Sequence, residues 1–187
     1  MIEVEAKIAI SNPQKIRKIA RNLGKFKEKI KKTDDYYTME DLKSYPQKSL
    51  RIRKSNGGYV INFKNKISKA HGIHAKKETE FNVRDIKNFI DLIEDFGFRK
   101  WLAKEKESEI FEINKDFHIE INRVKNLGWF LEIEYLVKKE KEIDNARNKI
   151  NKVIDELGLS KEKVIEKGYT RMLWRRLQKS KTSPIRS

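Results

Sequence analysis

The sequence predicts an α+β protein, and three observations carry that prediction. Seven segments alternate apolar and polar residues with period two, as half-buried strands do. Apolar stripes of helical period lie between them. Like charges, finally, collect strand by strand on the face opposite the apolar one. A length of 187 residues favours a single domain, with enough chain to bury a core.

The first strand carries Ile2, Val4, Ala6 and Ile8 on one face and Glu3, Glu5 and Lys7 on the other. Ser11-Asn12-Pro13 then sets a capping side chain ahead of a first-turn proline, which starts a helix. Ile16, Ile19, Ala20 and Leu23 form its stripe, and Gly24 reads as its stop. Further strands are predicted over Leu50 to Arg53, Tyr59 to Lys66, Lys76 to Asn82, Lys100 to Lys106, Phe117 to Val124 and Trp129 to Val137. Asn56-Gly57-Gly58 reads as a hairpin turn between the first two of these. A second helix carries Ile86, Phe89, Ile90, Ile93 and Phe96 and ends at Gly97. The third carries Ile143, Ala146, Ile150, Val153, Ile154 and Leu157 and ends at Gly158. A short helix follows over Tyr169 to Leu177, and the basic residues after Gln178 read as a frayed tail. Three times a Glu-x-Glu strand leads into a helix closed by Leu-Gly or Phe-Gly, which suggests related strand-then-helix units.

The 44 basic and 28 acidic side chains leave a net charge of +16. Such an excess points to a polyanionic partner: nucleic acid, nucleotide, polyphosphate or acidic lipid headgroups. Nine Phe, six Tyr and three Trp argue against wholesale disorder. The longest stretch without charge, Ser55 to Phe63, is about half of what a membrane-spanning helix needs, so no membrane role is expected. Glu3 and Glu5 stand where a secretory signal would be basic and then apolar, so the expected location is the cytoplasm. With no cysteine, disulfides and thiolate metal sites are excluded.

Other chemistries find little support. His71 and His74 have a spacing that could hold a metal, but two ligands do not make a site, and both read as loop or surface residues. His118 stands alone in the sequence. No nucleophile elbow, phosphate-cradling glycine loop or dinucleotide fingerprint is present. Trp101, Trp129 and Trp174 read as core or rim residues.

Residues two apart on a strand project together. Arg51 therefore shares a face with Arg53, Lys64 with Lys66, Lys104 with Lys106, Glu78 with Glu80, and Glu132 with Glu134. One reading sends these charges to solvent from an ordinary two-layer sheet. The other closes the sheet with the charges inside, basic strands on one wall and glutamates on the other. Grouping by sign tells against the first, because solubility alone is served by mixed signs, but the residues alone leave both readings open. Glutamate pairs offer hard oxygen ligands suited to Mg²⁺ or Mn²⁺. Arg and Lys at alternate positions are the phosphate-binding complement.

A series of motifs runs through the chain in order: Glu3-Val4-Glu5-Ala6-Lys7, Asp34-Asp35-Tyr36-Tyr37, Leu50-Arg51-Ile52-Arg53, Asn62-Phe63-Lys64, Glu78-Thr79-Glu80, Lys104-Glu105-Lys106, Leu127-Gly128-Trp129-Phe130-Leu131-Glu132-Ile133-Glu134 and Tyr169. The series resembles the signature of the triphosphate tunnel metalloenzymes, also called the CYTH family. That family includes class IV adenylyl cyclases, thiamine triphosphatases and inorganic triphosphatases. The resemblance implies a closed eight-stranded antiparallel β-barrel with helices outside and charges inside. Residues 1–178 would form this one domain, and 179–187 a basic, flexible tail.

By the same resemblance, Lys7, Arg51, Arg53, Lys64, Lys66, Lys104 and Lys106 would bind phosphate. Glu3, Glu5, Glu132 and Glu134 would hold Mg²⁺ or Mn²⁺, with Glu78 and Glu80 in support. Glu5, Glu134 and Lys7 are the expected catalytic residues, one carboxylate orienting the attacking water. Three positions depart from the family pattern: Asn122 where Asp is frequent, Lys106 where Arg is commoner, and Thr38 where an acid often follows the tyrosines. The expected activity is metal-dependent hydrolysis of a linear triphosphate, inorganic triphosphate first. ATP cyclisation and thiamine triphosphate hydrolysis are the alternatives, since no base-recognition motif stands out. A non-catalytic polyphosphate or nucleic-acid binding module is the rival of another class, but it has no use for clustered glutamates. Monomer and homodimer both stay open.

Overall fold

β-Strands at the two ends of this protein turn their apolar sides outward, toward helices, and their charged sides toward a common axis. The structure is a computed structural model; it describes the backbone of residues 1–55 and 58–182, with side chains except at 55, 64–66 and 180–182. The elements are β1 (Ile2–Ala9), α1 (Pro13–Leu23), β2 (Lys25–Thr38), β3 (Leu50–Ser55), β4 (Gly58–Ala70), β5 (Ile73–Val83), α2 (Ile86–Asp95), β6 (Arg99–Asn114), β7 (Phe117–Val124), β8 (Gly128–Val137), α3 (Ile143–Glu156) and α4 (Tyr169–Thr182). The strands close into an antiparallel barrel in the order β1-β5-β4-β3-β2-β6-β7-β8, which leaves no open sheet edge. The expected eight-stranded barrel is therefore present, with its helices outside.

The main core lies outside the barrel wall, between it and α1 and α3. Val4, Ile8, Ile119, Ile121, Leu131 and Ile133 meet Ile150 and Ile154 there, all fully buried. A smaller cluster under α2 joins Tyr37, Ile52 and Ile61 to Ile93. Leu173 of α4 packs on Tyr36 and Leu102. Asn12 caps α1 as its sequence predicts, accepting from the Lys15 amide at 3.0 Å. The topology repeats itself: β1-α1-β2-β3-β4 and β5-α2-β6-β7-β8 have the same order of elements, and exchanging the two sets reproduces the barrel's strand order. The first two Glu-x-Glu strands each open one of these halves.

Several local readings change. β2 was not among the sequence-predicted strands, because both of its faces are polar: Lys29, Lys31 and Thr33 alternate with Lys32 and Asp34. β6 runs to Asn114, well past Lys106, since Glu107 and Glu109 outside alternate with Ser108 and Ile110 inside and mask the period. Gly24 has an extended backbone, not the left-handed one that ends many helices; a Cβ there would lie 2.9 Å from the Glu112 carbonyl oxygen. α4 continues to Thr182, so the segment expected to fray begins as helix. The Asn56-Gly57 turn lies outside the described residues, although β3 and β4 pair antiparallel up to Ser55 and Gly58.

The C-terminal region also completes the wall. β5 pairs with β1 only from Ile2 to Glu5. Val164 takes over beyond that point, bridging Ile8, and the Ile165 amide donates to the Lys7 carbonyl at 2.7 Å. Among the described residues no helix is long and apolar enough to cross a membrane.

Candidate active site

The barrel encloses a polar lumen of about 780 Å³. Strand order fixes its charge pattern, because β3, β2 and β6 are neighbours and bring Arg51, Arg53, Lys32, Lys104 and Lys106 onto one wall. Facing them, β7, β8, β1 and β5 carry Glu120, Glu132, Glu134, Glu3, Glu5, Glu78 and Glu80, with Lys7 and Lys76 among them. Lys64 and Lys66 stand in β4 opposite Glu78 and Lys76; their side chains lie outside the described residues.

Carboxylates hold the basic wall in place. Asp34 is bound by Arg53 through two nitrogens, at 2.7 and 3.1 Å, and by Lys104 at 2.8 Å. Arg51 reaches Glu78 at 3.4 Å and Glu80 at 3.6 Å, and Asn62 donates to both glutamates, at 2.8 and 2.6 Å. Arg51 Nε is buried and has no hydrogen-bond partner among the described residues. An orphaned guanidinium donor on a basic wall suits an anionic ligand.

Glu132 sits where β8, β1 and β6 converge. One oxygen receives Lys7 at 3.1 Å; the other receives Lys106 at 2.9 Å and Asn122 at 2.7 Å. Burial alone would raise its pKa, yet Lys106 and Lys7 bring it down to about 2. Burial likewise works against the charge of Lys106, but Glu120 and Glu132 outweigh it and lift its pKa above the ordinary value. Glu120 binds Lys106 at 2.6 Å and Lys32 at 3.2 Å. The Tyr169 ring covers Lys7 Nζ at 4.3 Å, so α4 begins as a roof over the lumen.

A different trio could hold a cation. Carboxylate oxygens of Glu3, Glu5 and Glu134 lie within 4.8 Å of one another. Three hard oxygen ligands converging at that range fit a divalent ion such as Mg²⁺ or Mn²⁺. Glu5 also receives Lys76. Of the four predicted metal ligands, the structure thus gathers Glu3, Glu5 and Glu134, and places Glu132 among lysines. His118, Glu120 and Glu134 form a second group within the same distance, with His118 Nε2 3.0 Å from Glu134.

Asp34, Glu120, Lys32 and His118 were not among the predicted site residues. His118, Glu120 and Asn122 share one face of β7 by parity, a signal the Ile119 and Ile121 face makes readable. Lys32 and Asp34 were hidden with the rest of β2. His71 lies in the β4–β5 turn with a positive φ, in keeping with its loop reading, and His74 is on β5 opposite Glu5.

A closed barrel with cations on one wall and converging carboxylates on the other forms a tunnel suited to a polyanion and a divalent metal. The chain belongs to the CYTH domain family, whose model matches residues 1–169. That family is metal-dependent, acts on triphosphate substrates, and includes triphosphatases and adenylyl cyclases. A protein of Methanocaldococcus jannaschii named "Putative adenylate cyclase MJ0240" is 29% identical over 175 residues, 90% of this chain and 97% of that one. The solved structure of the PH1819 protein from Pyrococcus horikoshii OT3 is 29% identical, with a TM-score of 0.77 over 93% of this chain and 99% of its own. A more distant match in fold, at 16% identity and TM-score 0.62, is a Hippeastrum protein, HpAC1, covering 98% of this chain and 99% of its own.

Proposed function

We propose that this protein hydrolyses a linear triphosphate, inorganic triphosphate first, to diphosphate and phosphate with Mg²⁺ or Mn²⁺. The observation that carries this reading is the opposition of Arg51, Arg53, Lys104 and Lys106 to the Glu3–Glu5–Glu134 trio, with Lys7 beside that trio, inside one closed lumen. The cations neutralise and align the phosphates, by bidentate hydrogen bonds from Arg and as point charges from Lys. Lys64 is assigned to phosphate from the motif, and Lys66 because it shares that face of the strand. Phosphoryl transfer asks for little else from a protein. A divalent ion, when bound, neutralises phosphate oxygens and lowers the pKa of water.

Glu3, Glu5 and Glu134 would hold that ion. Glu132, whose oxygens already bind Lys7, Lys106 and Asn122, orients the two lysines toward the chain. The water oxygen bonds to the terminal phosphorus as the bridging P–O bond breaks. The electron pair leaves with diphosphate, and the water proton passes to Glu5 or Glu134 and on to solvent. Glu78 and Glu80 anchor Arg51.

The relative's name favours a second reading, cyclisation of ATP to cyclic AMP and diphosphate. HpAC1 is described as a putative adenylyl cyclase with a dominant triphosphatase activity, which supports the order chosen here. Purified protein incubated with inorganic triphosphate, ATP or thiamine triphosphate and Mg²⁺ or Mn²⁺ decides among them. Orthophosphate release fastest from inorganic triphosphate is expected. Cyclic AMP as the main product from ATP would overturn the reading.

A further inference from the structure

Part of the +16 charge lies outside the lumen and is organised. Arg171, Arg175 and Lys179 follow one another at four-residue intervals on α4, each exposed. That interval raises successive heads by about 6 Å along one helix face. A groove of about 820 Å³ runs beside them, and Tyr45, at the lumen mouth, lines it too. Leu127 and Arg176 pass it on to a second groove of about 510 Å³, where Arg123, Lys125 and Lys31 stand. The basic track is therefore continuous from the tunnel mouth around the outside of α4. Lys31 and Lys125 are partly neutralised by Glu105. Among the described residues no carboxylate pairs with Arg171, Arg175 or Arg176.

Aromatic rings are set into this track. Arg171 lies 4.6 Å from the Tyr45 ring, and half-buried Trp174 lines the same groove, edge-on to Trp101 at 5.7 Å. Guanidinium planes alternating with rings offer stacking surfaces to bases as well as charge to phosphates. Inorganic polyphosphate would use the charge alone. A stiff duplex touches a curved track only along a ridge, whereas a flexible single strand can follow it. RNA is the nucleic acid that regularly presents unpaired strands.

We propose that this track, from Tyr45 past Arg171, Arg175 and Arg176 to Arg123, docks single-stranded RNA. The proposal is independent of triphosphate hydrolysis, because it concerns the outside of the barrel.

The test uses the full chain and a fluorescent 12-nucleotide RNA with a 5′-hydroxyl end, which brings no triphosphate to the lumen. Anisotropy titrations across salt concentrations compare wild type with Arg171→Gln/Arg175→Gln/Arg176→Gln. The control is Lys87→Gln/Lys141→Gln/Lys152→Gln, which removes the same charge from exposed positions elsewhere. The groove variant should bind roughly tenfold more weakly, with the slope of log K against log salt reduced by about two. The control should differ little from wild type. Equal losses in both variants would assign binding to diffuse charge and overturn the proposal. Polyphosphate of matched charge displacing the RNA at lower concentration than unlabelled RNA would overturn it as well. Circular dichroism melts confirm folding; should the triple variant melt early, Arg175→Gln alone should give about a third of the slope change.

Discussion

Arg53 and Asp34 form a two-pronged ion pair across neighbouring strands, Nε to Oδ1 at 2.7 Å and Nη2 to Oδ2 at 3.1 Å. Asp34 has no exposed surface, and Lys104 shares its Oδ2. Burial pushes the carboxyl pKa up, but Lys104, Arg53 and Arg51 outweigh it and hold it well below the ordinary range. A single acid thereby fixes the geometry of three cations assigned to phosphate.

Arg53→Lys keeps the charge and loses one prong. Misplacing one charge-assisted contact of about 1.5–3 kcal/mol should lower kcat/KM for inorganic triphosphate roughly ten- to a hundredfold. Steady-state kinetics of the variant measure it. Wild-type values would mean that the fork serves neither phosphate nor Asp34.

Asp34→Asn leaves Arg53, Lys104 and Arg51 crowded without their shared anion. Removing one member of a buried ionic group costs about 3–5 kcal/mol. In a domain of this size that is a fall in Tm of roughly 6–20 °C. Differential scanning calorimetry at neutral pH checks this, and a Tm within about two degrees of wild type would refute it.

Glu132 and Glu134 should separate in metal binding although they are two residues apart on one strand. Glu134→Gln and Glu5→Gln are expected to weaken Mn²⁺ binding at least about tenfold in calorimetry. Glu132→Gln should affect it less, because lysines and Asn122 occupy its oxygens, and should instead weaken triphosphate binding. Chelator should abolish turnover of the wild type. Undiminished phosphate release in excess EDTA would sink the metal requirement.

Acid should unfold the protein through the same groups. Asp34, Glu120 and Glu132 all ionise more easily folded than unfolded, Glu132 at about 2 against an ordinary 4.5. A depressed folded pKa contributes stability above the unfolded value and loses it as pH falls toward the folded one. Stability should hold from about pH 7 to 5 and decline steadily between about 5 and 2. Thermal melts over that range report it; an unchanged Tm at about pH 3 would contradict the assignment.

Much of this architecture was legible in the chain. β1, β7 and β8 declare themselves because their outward faces are uniformly apolar, Ile119 and Ile121 or Leu131 and Ile133 against the helices. The Glu-x-Glu and Arg-x-Arg pairs could be assigned a common face from parity alone. β2 could not be read, because hydrophobic alternation vanishes when a strand carries charge on both sides, as Lys31 and Lys32 do. Nor does parity say which charges meet across the lumen. The contacts of Lys106 with Glu120 and Glu132 depend on the register of β6, β7 and β8 in a closed ring. For the same reason the contacts of Glu132 with Lys7, Lys106 and Asn122 could not be read from the chain.

The Val164–Ile8 bridge and the Ile165–Lys7 hydrogen bond join the last part of the chain to the first strand. β1 is translated well before its partners β5, β8 and residues 164–165. Part of one edge must therefore wait for β5, and the rest for β8 and residues 164–165. Non-local pairing of this kind slows folding and lengthens the time for which strand edges are open to other chains. The wall around Lys7 is consequently assembled from segments more than 150 residues apart, so the lumen can close fully only once residues 164–165 have emerged.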